Sequence, residues 1–234
     1  MRVVVIRHHE EDSAGFIGEA FEAHGAQLST VLFPKEGPLP DLAGLAHIVV
    51  LGSTSSVYDD GEARAWIDED LAWLRRADAA GVPILGICFG AQLLAAAFGG
   101  AVEHSGAEEI GWVMIESADH ELIAPGPWLE FHHDRCLPPA QASVLAHNAF
   151  GVQAFRLGRH LGVQFHPEVD GEQFKLWLDS GAGKEISETG QDPDRLLAQT
   201  IAEEPAAKAR ADQLVATALR FAGAAAVSSP RPSG

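Results

Sequence analysis

The strongest constraint in this chain is the run Ile84-Leu85-Gly86-Ile87-Cys88-Phe89-Gly90-Ala91-Gln92. Residues 82–87 are apolar and predict a short buried strand; residues 91–98 predict a helix. A single cysteine sits between them, with a glycine two positions to either side. That is the layout of a nucleophile elbow, in which a strand turns sharply into a helix and holds its tip residue in a strained conformation. The glycines are required because side chains there would collide with the turn. The helix N-terminus beneath the sulfur brings unpaired N–H groups and a partial positive charge, which suit a reactive sulfur. The Phe89 N–H is placed to donate to an oxyanion. Residues 83–102 carry no charge and are long enough to span a bilayer. Their glycines, Gln92 near the middle and the lack of a flanking Lys/Arg cluster point instead to a buried strand followed by a buried helix.

A formal net charge of -17 argues against nucleic acid and anionic membranes as partners, because both require a basic surface. Two cysteines, Cys88 and Cys136, could pair, but an elbow in a chain of 234 residues suggests a reducing compartment. The apolar run at residues 3–6 is too short for a signal peptide, so the expectation is a cytoplasmic protein.

Along the chain, strands are expected at 3–6, 29–33 and 47–51, and helices at 16–23 and 64–80. The second helix carries Trp66, Ile67, Leu71 and Leu74 on one face. The segment His8-His9-Glu10-Glu11-Asp12 fits no metal-ligand spacing and reads as a solvated strand-end loop. Strands that are apolar throughout, alternating with helices, indicate an α/β fold. The expected architecture is a flavodoxin-like, open, mostly parallel twisted sheet with helices on both faces. After residue 102 the pattern becomes β-rich, with strands at 111–116, 144–147, 153–156 and 161–165. Residues 131–134, Phe-His-His-Asp, read as a turn. A helix at 171–178, a polar loop at 180–193 and two helices at 194–203 and 206–221 complete the expectation. The chain is expected to be a single domain over 1–223, with peripheral C-terminal helices over 194–222 and a disordered tail over 224–234.

Sites in parallel sheets lie at the carboxyl ends of the strands. That rule brings together the loops after Ile6 and Leu51 and the elbow at Cys88. The loop Gly52-Ser53-Thr54-Ser55-Ser56-Val57-Tyr58-Asp59-Asp60 is small, polar and rich in backbone donors, and reads as the other half of an oxyanion hole. Its Ser and Thr residues leave it without a packed anchor. A second motif, Gln164-Phe165-His166-Pro167-Glu168, ends an apolar strand. Pro167 biases His166 to an extended conformation, so Glu168, two residues on, points the same way and reaches the ring. The roles follow: Cys88 as nucleophile, His166 as base, Glu168 as the group that fixes the imidazole tautomer.

Together, Gly86-Ile87-Cys88-Phe89-Gly90-Ala91-Gln92 and Gln164-Phe165-His166-Pro167-Glu168 resemble the class I glutamine amidotransferases, of the kind found as the glutaminase domain of GMP synthase. The resemblance covers about residues 3–178. The loop from Gly52 resembles the family's Gly-Gly-Pro-x-Ser-Val-Tyr-Asp loop, with Ser53 standing for the second Gly and Thr54 for the Pro. It implies hydrolysis of the glutamine side-chain amide by the Cys88–His166–Glu168 triad, through a thioester. Ser53 and Phe89 would form the oxyanion hole, and Gly52, Gln92 and His133 would bind substrate. No metal or cofactor is required. The substrate is glutamine or another γ-glutamyl compound. Nothing after Glu168 resembles a nucleotide-binding loop, so the ammonia would pass to a synthetase partner on a separate chain. The alternatives are a stand-alone γ-glutamyl amide hydrolase and, argued against by the complete triad, a non-catalytic binding module.

Overall fold

The computed structural model describes residues 1–228. Five strands form the parallel centre of the main sheet: β1 (Arg2–Arg7), β2 (Gln27–Leu32), β3 (His47–Val50), β4 (Ile84–Ile87) and β10 (His160–Val163). Their order is β2-β1-β3-β4-β10, the flavodoxin-like arrangement. Three antiparallel strands extend the β10 edge: β9 (Val152–Leu157), β8 (Ser143–His147) and β6 (Glu116–Ser117). A separate antiparallel pair, β5 (Ala101–Val113) with β7 (Trp128–Leu137), packs alongside.

The strands are apolar throughout because helices cover both faces. Val3, Val5, Val49, Leu85 and Val163 face one layer, built by α1 (Gly15–Ala23) and the long α6 (Pro193–Ser228). Val4, Ile6, Ile48, Val50 and Ile84 face the other, built by α2 (Glu62–Ala79) and α3 (Phe89–Ala97). Each such side chain contributes about 1.5–3 kcal/mol by leaving water. Strand ends in this stack are thereby fixed, which places the loops after β1, β3 and β4 side by side.

Four segments differ from expectation. Residues 131–134 lie within β7 rather than in a turn. The strand's even-numbered residues face inward, and Glu130, His132 and Asp134 are among them. Buried ionisable groups give the sequence the look of a polar turn. The first part of β5 is rich in polar and exposed residues, so its length is hidden as well. The segment expected as a loop at 180–193 instead contains a π-type turn (Leu178–Ala182), with Gly181 at φ 132°, and then α5 (Gly183–Glu188). The preceding helix is α4 (Gly171–Trp177), capped by Asp170, whose Oδ1 accepts the Gln173 N–H at 2.7 Å.

The two C-terminal helices are one. Pro205 lies inside α6, where a proline removes a backbone hydrogen bond and costs about 3 kcal/mol. The stripe Ala207, Ala211, Leu214, Val215, Ala218 and Phe221 buries against the sheet and holds the helix continuous. It is thus part of the core rather than an outer layer. Residues 224–228 continue α6; the rest of the expected tail, 229–234, lies outside the described residues.

Candidate active site

The elbow forms as its sequence demands. Cys88 has φ 51° and ψ −109°, the one non-glycine residue at positive φ among the described residues. Its N–H donates to the Val163 carbonyl at 2.8 Å, fastening the turn to β10. Its carbonyl accepts the N–H groups of Ala91 and Gln92, so α3 begins directly behind the sulfur. The Phe89 N–H precedes these first intrahelical bonds and is left at the helix N-terminus. A Cβ on Gly86 would lie 2.4 Å from the Gly90 carbonyl oxygen, and one on Gly90 would lie 2.1 Å from that of Val50. Both are backbone collisions, so neither glycine can be replaced without moving the elbow.

His166 follows the end of β10 and is placed by its own N–H, which donates to the Leu129 carbonyl on β7 at 2.8 Å. Its Nδ1 lies 2.8 Å from Glu168 Oε1, and both side chains are buried. Burial works against a charged ring here, but the Glu168 carboxylate and Cys88 outweigh it and hold the imidazole well above its ordinary value. Trp177 packs edge-on to the ring at 5.0 Å between centroids. Gln164 approaches the sulfur, Nε2 to Sγ 3.6 Å, and accepts from Gln92 Nε2 at 3.3 Å.

Gly52 stands against both reactive groups. A Cβ there would lie 3.1 Å from His166 Cε1 and 3.9 Å from Cys88 Cβ. Two cavities meet over Cys88, each lined by Ser53, Thr54 and Phe131. The larger, about 530 Å³, is bounded by His166, Gly52, Trp177 and the acids Glu11 and Asp12. The smaller, about 170 Å³, is bounded by Gln92, His132, His133 and Asp134. The structure therefore brings Cys88, His166, Glu168, Gly52, Ser53 and Phe89 together. Gln92 and His133 lie on the smaller cavity, His133 with its Nε2 2.7 Å from Glu185 Oε1.

The loop after β3 is not free of anchors. Ser56 Oγ and Tyr58 OH donate to the two oxygens of Asp134, at 2.5 and 2.6 Å. The Thr54 N–H donates to His9 Nε2 at 3.2 Å. His8, on the strand-end loop of β1, lies with Nδ1 3.3 Å from the Gly52 carbonyl oxygen and Nε2 3.0 Å from Asp70 Oδ2. The sequence offered a faint signal for this: an acid, Asp70, on the otherwise apolar face of α2.

Behind the site, Glu109, Glu130 and His132 form a buried group whose nearest donor atoms lie within 4.8 Å of one another. His132 Nε2 lies 2.9 Å from Glu109 and 3.3 Å from Glu130, and its Nδ1 contacts the Asp134 carbonyl. Burial opposes charge on this ring too, but the two carboxylates hold it up at about 10. Burial likewise pushes Glu130 up to about 7, against the pull of His132. Glu109 is already bonded by Asn148, Gln153 and His132, so this cluster is an internal ion network.

A sequence profile described as Glutamine amidotransferase class-I matches residues 17–179. The chain belongs to the class-I glutamine amidotransferase family. The resemblance carried by the Cys88 and His166 motifs, and the enzyme class it implied, therefore hold at the level of the family. A GMP synthase [glutamine-hydrolyzing] from Thermomicrobium roseum is 38% identical over an alignment of 145 positions that covers 55% of this chain and 25% of that protein. The chain thus spans about a quarter of the curated relatives it matches. A glutamine amidotransferase from Thermotoga maritima superposes with a TM-score of 0.84 at 26% identity, covering 94% of this chain and 97% of that one. One from Methylobacillus flagellatus shares the fold, with a TM-score of 0.83 at 22% identity, covering 94% of each chain.

Proposed function

We propose that this chain is a glutamine amidotransferase subunit that hydrolyses the side-chain amide of glutamine at Cys88 and supplies the ammonia to a synthetase on a separate chain. The observation that carries this reading is the strained Cys88 at the N-terminus of α3, sharing a cavity wall with a His166 already paired to Glu168. The sulfur attacks the amide carbon; the C–N bond breaks as His166 gives its proton to the departing nitrogen, leaving a γ-glutamyl thioester and ammonia. A water deprotonated by His166 then attacks the thioester and releases glutamate. The oxyanion of each addition step is held by the N–H groups of Phe89 and Ser53. The glutamyl head occupies the smaller cavity, beside Gln92 and His133. No metal or cofactor takes part in these steps.

Two free, buried thiols and a net charge of -17 support a reducing, cytoplasmic setting away from nucleic acid and membranes. No helix of the described residues is long and apolar enough to cross a membrane.

One observation favours a second reading. His166 faces the larger cavity, so a leaving nitrogen departs into about 530 Å³. That is far more than ammonia fills and within the range of small-molecule pockets. A γ-glutamyl amide with a larger amine would use it. The experiment is steady-state glutamate release by the purified chain from glutamine and from N-substituted γ-glutamyl amides. Glutamine turnover, accelerated by a co-purifying synthetase, supports the subunit; rapid cleavage of substituted amides alone supports the stand-alone hydrolase. Release from neither overturns both.

A further inference from the structure

His8 and Asp70 play no part in the steps above, yet they are among the most enclosed ionisable side chains near them, at 2% and 1% exposure. The ring lies between Trp66 and Phe89, each 5.2 Å away between centroids. Its Nε2 meets Asp70 Oδ2 at 3.0 Å and its Nδ1 faces the Gly52 carbonyl oxygen at 3.3 Å. A carbonyl oxygen only accepts, so the Nδ1 contact is favourable only when that nitrogen carries a proton. Two pairings with Asp70 leave the hydrogen there: an ionised Asp70 accepts from Nε2 of a charged ring, and a protonated Asp70 donates to Nε2 of a neutral one. A neutral ring that gave its only N–H to an ionised Asp70 would set a bare Nδ1 against the Gly52 oxygen, two acceptors 3.3 Å apart, which the contact disfavours. Burial pushes the Asp70 carboxyl up and His8 pulls it back, and Asp70 Oδ1 has no other partner.

The consequence lies one bond further on. The Gly52–Ser53 peptide is trans, because the cis bonds among the described residues are Phe33–Pro34 and Gly126–Pro127. In a trans peptide the C=O and the N–H point in opposite directions. With the Gly52 carbonyl held toward His8, the Ser53 N–H leaves on the other side, where Ser53 borders both cavities over Cys88. A glycine at 52 makes the opposite peptide orientation accessible at little steric cost, so something has to choose between the two.

We propose that His8, braced by Asp70, is a positioning residue that fixes the Gly52–Ser53 peptide with its N–H turned toward the oxyanion. This rests on the reading of Cys88 as nucleophile and Ser53 as oxyanion donor. Its test combines kinetics with a spectroscopic readout on the full chain. His8→Ala lowers kcat for glutamine roughly 10²- to 10³-fold, the effect of losing one oxyanion donor. KM stays within a few-fold, and iodoacetamide alkylates Cys88 at the wild-type rate, since that reaction needs no oxyanion hole. His8→Asn, whose side-chain N–H stands where Nδ1–H stood, recovers most of the loss. A His8→Ala enzyme at wild-type kcat, a His8→Asn enzyme no better than His8→Ala, or kcat and alkylation falling together would each overturn the proposal. The ring is also read directly by nitrogen-15 NMR of histidine-labelled wild-type protein. A protonated, hydrogen-bonded Nδ1 on His8 is the expected result, and a bare Nδ1 overturns the proposal. That spectrum judges His8 even if the wild-type chain releases no glutamate, an outcome that would sink the glutaminase reading instead.

Discussion

His166 Nδ1 and Glu168 Oε1 lie 2.8 Å apart across a single intervening proline. The pairing follows from local geometry: extended chain sends alternate side chains the same way, and the proline keeps the chain extended. In the proposed function Nδ1 donates to the carboxylate, and Nε2 is left for the sulfur.

The first prediction concerns this pair. Glu168→Gln keeps an acceptor for Nδ1 but removes the charge that stabilises the imidazolium. It lowers kcat, and by less than His166→Ala, for which triad precedent gives on the order of 10³ to 10⁶. Steady-state kinetics of the two variants check this. A His166→Ala enzyme near the wild-type rate contradicts the assigned roles.

A second prediction concerns the clamp on the loop after β3. Asp134 holds Ser56 and Tyr58 through charge-assisted hydrogen bonds, each worth about 1.5–3 kcal/mol. Asp134→Ala frees the loop and lowers kcat/KM for glutamine roughly ten- to hundredfold, the population change such an energy allows. Limited proteolysis should cut within 53–61 faster than in the wild-type chain. Unchanged kinetics and unchanged cleavage would show that the loop is held by other contacts.

The third concerns pH and stability. His47 is fully buried with both ring nitrogens unpartnered, and burial lowers it to about 3. In the unfolded chain an imidazole takes up a proton below about 6.5. Between these values the unfolded state binds more protons, so stability falls as pH falls from about 6.5 toward 3, by on the order of 3–5 kcal/mol. His47→Leu removes that loss, and at neutral pH it is close to neutral or stabilising because an orphaned polar group goes with it. Urea unfolding of both proteins at pH 7.5 and pH 5 tests this. The wild-type chain should lose more on acidification than the variant; equal losses contradict it.

How far the sequence could be read depended on what each residue faced. β1, β3 and β4 were legible because both of their faces are apolar-covered, and the elbow because a Cβ at Gly86 or Gly90 has nowhere to go. β7 was not, because Glu130, His132 and Asp134 point inward, and the partners of His132 and Asp134 lie far off in sequence, Glu109 for the one and Ser56 and Tyr58 for the other. His8 looked like part of a solvated loop for the same reason: its partners, Asp70 and Gly52, are 62 and 44 positions away. Pro205 suggested a helix break that the packing of Ala211, Leu214 and Ala218 overrides. The elements were local facts, whereas the polar pairings around the site were tertiary ones.

In the proposed function, glutamine is opened at the Cys88 sulfur. Rapid acid quench of the chain during turnover, followed by peptide mass spectrometry, tests it most directly. The expected result is one γ-glutamyl group on the Cys88 peptide, none on the Cys136 peptide, and no glutamate release by Cys88→Ala. A glutamyl group on Cys136, or glutamate release that survives Cys88→Ala, would contradict it.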